Sequence, residues 1–138
     1  MKVLKSQNPS STKKLAKSLR KAYESHRLIL LYGDLGSGKT TFTKGFASSF
    51  DIDEKDIKSP TYTLIRRYGK KLLHADLYRL QELDEIILNE IETFLDEGGT
   101  VVVEWPELME KTLKQPHIKI HISTKSKNSR EFKITEHK

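Results

Sequence analysis

One run of residues, Gly33-Asp34-Leu35-Gly36-Ser37-Gly38-Lys39-Thr40, fills every place of the pattern G-x-x-x-x-G-K-[ST]. The chemistry such a run performs is anion binding. Its glycines let the backbone turn so that amide N–H groups converge on phosphate oxygens, and the positive end of a following helix adds to the field. In that frame Lys39 reaches the β- and γ-phosphates, and the Thr40 hydroxyl ligates the Mg²⁺ that bridges them. Two carboxylates end apolar runs elsewhere: Asp76 after Leu72-Leu73-His74-Ala75, and Glu104 after Thr100-Val101-Val102-Val103. An apolar strand ending in an acid opposite the phosphate loop is the second half of a nucleotide site. Glu104 takes the metal role, because its run is the longer and better suited to a central parallel strand. Asp76 competes for the same title, as a metal ligand or as the group that orients the attacking water. Arg79 is placed to neutralise charge on a transferring phosphoryl group, with surface ion pairing as the alternative for both.

The elements that must hold these residues are legible around them. Leu28-Ile29-Leu30-Leu31-Tyr32 reads as a short buried strand, and Thr41 to Phe50 as a helix with Phe42, Phe46 and Ala47 on one face. Strand, glycine loop and helix stand in the order the motif requires. Upstream, Ser10-Ser11-Thr12 offers an N-cap to an amphipathic helix ending near His26, with Leu15, Leu19, Ala22 and Tyr23 recurring at helical spacing. Downstream, Ser59-Pro60-Thr61-Tyr62-Thr63 is a hydroxyl-rich stretch that Pro60 keeps out of a helix. It lies where nucleotide-sensing switch segments sit, which makes Ser59 and Thr61 candidate sensors of the γ-phosphate, with an ordinary turn as the alternative.

Residues 64–68 and 71–76 are extended runs about Gly69-Lys70 and predict a β-hairpin. Gln81 to Glu92 carries Leu83, Ile86, Ile87 and Ile91 at helical intervals, a loop closes the segment over 94–99, and Thr100-Val101-Val102-Val103 is a strand buried on both faces. Trp105 borders the site and is open to three readings: core, base-stacking surface or partner contact. Pro106 opens a short helix, and His117 to Ile122 and Glu131 to Ile134 form a terminal hairpin about the polar turn 123–130. His117 and His121 share a strand face without an accompanying carboxylate or cysteine, which argues against a metal site there. The whole predicts an α/β protein with a three-layer P-loop NTPase-like fold, its mixed parallel and antiparallel sheet flanked by helices.

At 138 residues the chain is expected to form one domain, 1–138, with little length left for a second substrate domain. It has no cysteine, which removes disulfides and thiolate chemistry, and a cytoplasmic setting fits. No apolar run approaches the ~20 residues of a membrane span and the first residues lack a signal-peptide core, so neither secretion nor membrane insertion is expected. The net charge of +6 is uneven. Residues 1–27 carry eight basic side chains against one acid, residues 28–110 nine against sixteen, and residues 111–138 eight against two. Basic ends flanking an acidic middle suit contact with nucleic acid or an acidic protein, or a plain solvated face.

Taken together in this order, Gly33 to Thr41, Ser59-Pro60-Thr61-Tyr62-Thr63-Leu64, His74-Ala75-Asp76-Leu77-Tyr78-Arg79-Leu80 and Val103-Glu104-Trp105-Pro106-Glu107 resemble the motifs of the TsaE (YjeE) family. That family comprises small bacterial ATPases that support threonylcarbamoyladenosine modification of tRNA together with the proteins TsaD and TsaB. The resemblance implies nucleotide on Asp34, Leu35, Gly36, Ser37, Gly38, Lys39, Thr40 and Thr41, and Mg²⁺ on Thr40 and Glu104. It further implies a switch-like loop carrying Ser59, Thr61 and Thr63, and help in hydrolysis from Asp76. Base-side contacts are implied for Thr12 and Arg130, and Arg79 and Trp105 fall inside family motifs. The expected cofactors are ATP and Mg²⁺, and tRNA would be met through the complex with TsaD and TsaB. The absence of a guanine-reading N-K-x-D pattern favours ATP over GTP. Two other functions fit the phosphate loop: a small-molecule kinase, and a nucleotide-gated assembly module that does not hydrolyse.

Overall fold

A computed structural model describes residues 1–58, 64–82 and 84–138. Seven strands form one mixed sheet: β1 (Lys2–Ser6), β2 (Leu28–Tyr32), β3 (Ile65–Tyr68), β4 (Leu72–Asp76), β5 (Thr100–Glu104), β6 (His117–Thr124) and β7 (Arg130–His137). Their order across the sheet is β1-β7-β6-β2-β5-β4-β3. β2 lies parallel to both β5 and β6, and β4 is parallel to β5, while the edges are closed by antiparallel pairs. The central strands β2, β4 and β5 are buried at every residue and must be covered on both faces.

Helices α1 (Pro9–Ala22) and α2 (Lys39–Ser48) pack on one face, where Ala16, Leu19, Phe42 and Phe46 meet Ile29, Leu31, Val102 and Ile120. Helix α3 (Glu85–Asp96) packs on the other, with Ile87, Ile91, Phe94 and Leu95 against Leu28, Leu30, Val101 and Val103. The result is the expected three-layer α/β arrangement. Among the described residues, no helix is long and apolar enough to cross a membrane.

Several boundaries differ from those the sequence suggests. β1 was not among the expected elements; its partner β7 lies more than a hundred residues away, and it is an edge strand with only Ser6 buried. Helix α1 begins at Pro9 behind an Asn8 cap whose side chain accepts from the Ser11 amide, earlier than a cap at Ser10 to Thr12. It also stops at Ala22, well before His26. Helix α3 runs from Glu85 to Asp96, later than the span 81–92, because the Asp84 side chain caps it by accepting from the Ile86 amide. Phe94 and Leu95, expected in a loop, complete its buried face.

Candidate functional site

The loop from Gly33 to Gly38 leaves the end of β2 and enters α2 directly. Gly38 occupies the N-cap position with φ 103°, a left-handed backbone that a side chain would strain. Helices α1 and α3 are capped by the side chains of Asn8 and Asp84, but among the described residues no side chain caps α2. Its first amides, at the positive end of the helix, are of the kind that can receive an anion.

Lys39, the first residue of α2, is 6% exposed. Its Nζ donates to the carbonyls of Gly33 at 2.6 Å and Asp34 at 3.0 Å, and stands 4.5 Å from the centre of the Trp105 ring. Burial lowers the Lys39 pKa, and the carboxylates of Glu104, Asp76, Asp34 and Glu107 work against that shift. The ammonium thus lies folded over the loop with acids around it, where a bound phosphate would give it a stronger partner.

Opposite stand the two carboxylates. β4 and β5 are in register, with Asp76 paired to Glu104, so both acids leave the same end of the sheet side by side. Asp76 and Glu104 are 6% and 3% exposed. Asp76 Oδ1 accepts from the Tyr78 amide at 2.9 Å. Burial raises the Asp76 pKa above the ordinary carboxylate value; the Glu104 charge adds to the rise, while the Tyr78 amide, His74 and Lys39 oppose it. Such a carboxylate is a better proton acceptor than a solvated one. The two strands that compete for the acidic position deliver their acids to one place.

Leu35, Gly36, Gly38, Lys39, Thr40, Thr41, Asp76, Tyr78, Arg79, Glu104, Trp105 and Arg130 line one pocket of about 530 Å³. Thr40, Asp76 and Glu104 supply hard oxygen donors on its wall, the set that suits Mg²⁺. Trp105 holds a left-handed backbone conformation, φ 55°, immediately after Glu104, and its ring lies 4.8 Å from that of Tyr78. The lone tryptophan is thereby part of the pocket wall. Ser37 is buried at the loop's base, and its Oγ has no partner among the described residues.

The two end-of-chain residues sit beside the loop in different ways. Arg130, first in β7, donates from Nε to the Ser37 carbonyl at 2.9 Å and from Nη1 to carbonyls of the 124–130 turn, so it ties the last hairpin to the phosphate loop. Thr12 is buried, and its hydroxyl is bonded to that of Ser6 at 2.7 Å. Thr12 and Arg130 also share a narrow recess with Gly38 and Thr41. The expected switch residues Ser59, Thr61 and Thr63 lie outside the described residues.

One residue of the site was not anticipated. His74, wholly buried in β4, places Nε2 2.5 Å from Glu104 Oε2. In an otherwise apolar strand it reads as a core histidine; the available signal was its spacing of two from Asp76, which puts both on one sheet face.

Comparison with known proteins is consistent across sequence and structure. A family model described as threonylcarbamoyl adenosine biosynthesis protein TsaE matches residues 6–132. The chain is 36% identical over 131 residues to the tRNA threonylcarbamoyladenosine biosynthesis protein TsaE of Bacillus subtilis, covering 93% of this chain and 81% of that one. It is 36% identical over 114 residues to the protein of the same name from Haemophilus influenzae, covering 80% and 72%. The crystal structure of Bacillus subtilis YdiB superposes with a TM-score of 0.69 at 37% identity, over 98% of this chain and 86% of that one.

Proposed function

The chain belongs to the TsaE family, and on that premise we propose that it is a Mg²⁺-dependent ATPase serving tRNA threonylcarbamoyladenosine biosynthesis. One observation carries the reading: the uncapped start of α2, with Lys39 and Thr40, faces two in-register strand-end carboxylates across a single pocket. That is the arrangement phosphoryl transfer to water needs, with donors on one side and oxygen ligands on the other.

The residues divide the work as follows. The loop amides and the start of α2 bind the phosphate chain. Lys39 leaves the Gly33 and Asp34 carbonyls and donates to phosphate oxygens, stabilising the charge that develops there. Thr40 and Glu104 would hold Mg²⁺, which would supply charge neutralisation for the transferring phosphoryl group. Asp76, its pKa raised by burial, orients the attacking water and accepts its proton. Arg79 and Trp105 close the pocket from the carboxylate side, and Arg130 steadies the loop through the Ser37 carbonyl. The loop carrying Ser59, Thr61 and Thr63 reports the γ-phosphate to partners.

The partners are TsaD and TsaB, in the cytoplasm, with tRNA reached through that complex. Threonylcarbamoyl transfer belongs to TsaD, and hydrolysis here resets the assembly between turnovers. Calorimetry with ATP and Mg²⁺ tests the binding half: wild type binds one nucleotide, and Lys39→Ala weakens binding by roughly 100-fold, since a charge-assisted contact of about 1.5–3 kcal/mol is lost and the facing acids are left unopposed. Equal affinities for the two would refute the assignment of the site.

A further inference from the structure

We propose that His74 is a positioning residue: by holding one oxygen of the Glu104 carboxylate, it fixes the orientation in which the other oxygen can ligate the divalent cation. This rests on the nucleotide and Mg²⁺ reading given above and gives a role to a residue that stands inside a family motif but has no assigned part in the chemistry.

Sheet geometry makes the pairing obligatory. In the β4–β5 register His74 stands opposite Val102, and Asp76 opposite Glu104. Side chains two apart along a strand share a face, so His74 and Asp76 project to the same side as Glu104. His74 lies one rung below the acids, in the floor of the site. From there its Nε2 meets Glu104 Oε2 at 2.5 Å, with both side chains nearly free of solvent at 0% and 4%. With both side chains so closed to solvent, the imidazole N–H sets the carboxylate plane. Loss of a hydrogen bond to a charged group in such a place leaves the charge underpartnered, which is costly and lets the side chain reorient.

The rest of the ring's surroundings supports a dedicated task. Its Nδ1 has no hydrogen-bond partner among the described residues. Across β3, the paired residue is Arg66, whose Nε likewise has none among them. The described polar bonding of His74 is therefore the single tie to Glu104. The neighbouring positions of the same strand are met by Leu72, Leu73 and Ala75, all fully buried. An aliphatic side chain at 74 would serve the core as well without leaving a buried nitrogen unpaired. The imidazole makes sense as support for Glu104. Groups that hold metal ligands in place from outside typically change metal affinity by 10–100-fold when removed.

The test uses the full chain and two kinds of variant. His74→Phe and His74→Met fill the space without a donor, and either one that folds carries the comparison; His74→Gln restores an N–H donor near the Nε2 position. Nucleotide affinity is measured by calorimetry with ADP in EDTA, and Mg²⁺ is then titrated into the ADP complex with Trp105 fluorescence as the signal. The expected result is that the donor-free variants bind ADP in EDTA within about threefold of wild type but need roughly 10–100-fold more Mg²⁺ for half-saturation, while His74→Gln stays near wild type. Unchanged Mg²⁺ affinity in the donor-free variants overturns the proposal. So does a parallel loss of metal-free ADP affinity, which would make His74 a shaper of the pocket, or a Gln variant as impaired as Phe. A wild-type chain that binds no ADP, or shows no Mg²⁺ response, refutes instead the nucleotide reading itself.

Discussion

Burial handicaps the two charged groups at the centre of the site in opposite senses. Lys39 is pushed towards its neutral form and Asp76 towards its protonated form. For Asp76 the consequence for stability has a definite sign. Its proton is held more tightly in the folded chain than in the unfolded one, so its contribution to stability falls as pH rises from the ordinary carboxylate range through the raised folded value. At neutral pH the charged carboxylate strains the ligand-free fold. Asp76→Asn keeps an Oδ1 acceptor for the Tyr78 amide while removing the charge. It should stabilise the chain at pH 7 by an amount on the order of 1 kcal/mol, read as a higher melting temperature and the usual scale for relieving a functional residue. The gain should shrink as pH is lowered into the carboxylate range; a variant no more stable than wild type at pH 7 would contradict the assigned burial. At this scale the sequence was informative wherever a motif names the side chain, as with Lys39, Thr40, Asp76 and Glu104. It placed His74 at the head of a family motif without giving it a task, because a histidine within Leu72-Leu73-His74-Ala75 acquires one only from the strand beside it.

Among the elements, α2 matters most, because the proposed site uses its N-terminus and its body must be fixed against the sheet. Gly45 makes that possible. A Cβ at this position would fall inside the van der Waals envelope of the Lys13 backbone, so α1 and α2 cross with their main chains almost touching. Gly45→Ala should therefore destabilise the chain by about 1–3 kcal/mol through overpacking, despite the better helix propensity of alanine. Denaturant unfolding measures it, and a neutral or stabilising result would mean that the helices can separate freely. The central strands and the loop-to-helix turn were readable because their signals are local: continuous apolar runs for β2 and β5, the glycine pattern for the turn. The misplaced starts of α1 and α3 have one cause. Several polar residues near each start can cap, and the folded hydrogen bonds show that Asn8 and Asp84 do so. β1 was illegible for a different reason, since a short edge strand with one buried residue is defined by its distant partner β7.

At the level of the whole molecule, the sheet order brings the two ends of the chain together as the antiparallel pair β1–β7, and Arg130 at the start of β7 links that edge to the phosphate loop. The basic ends noted in the sequence are thus joined at one edge of the sheet, while the acidic middle supplies the carboxylate wall of the site. One guanidinium thereby ties the last hairpin to the loop between β2 and α2, as the proposed coupling of hydrolysis to outside contacts would require. The most direct test is phosphate release from ATP in the presence of Mg²⁺, measured for the chain alone, for the chain mixed with TsaD and TsaB, and for Glu104→Gln in the same mixture. Slow turnover alone, acceleration by roughly tenfold or more in the mixture, and its loss in Glu104→Gln are expected, since completing a phosphoryl-transfer site in trans is a large effect. Equal rates with and without the partners, or a Glu104→Gln variant as fast as wild type, would contradict the proposal.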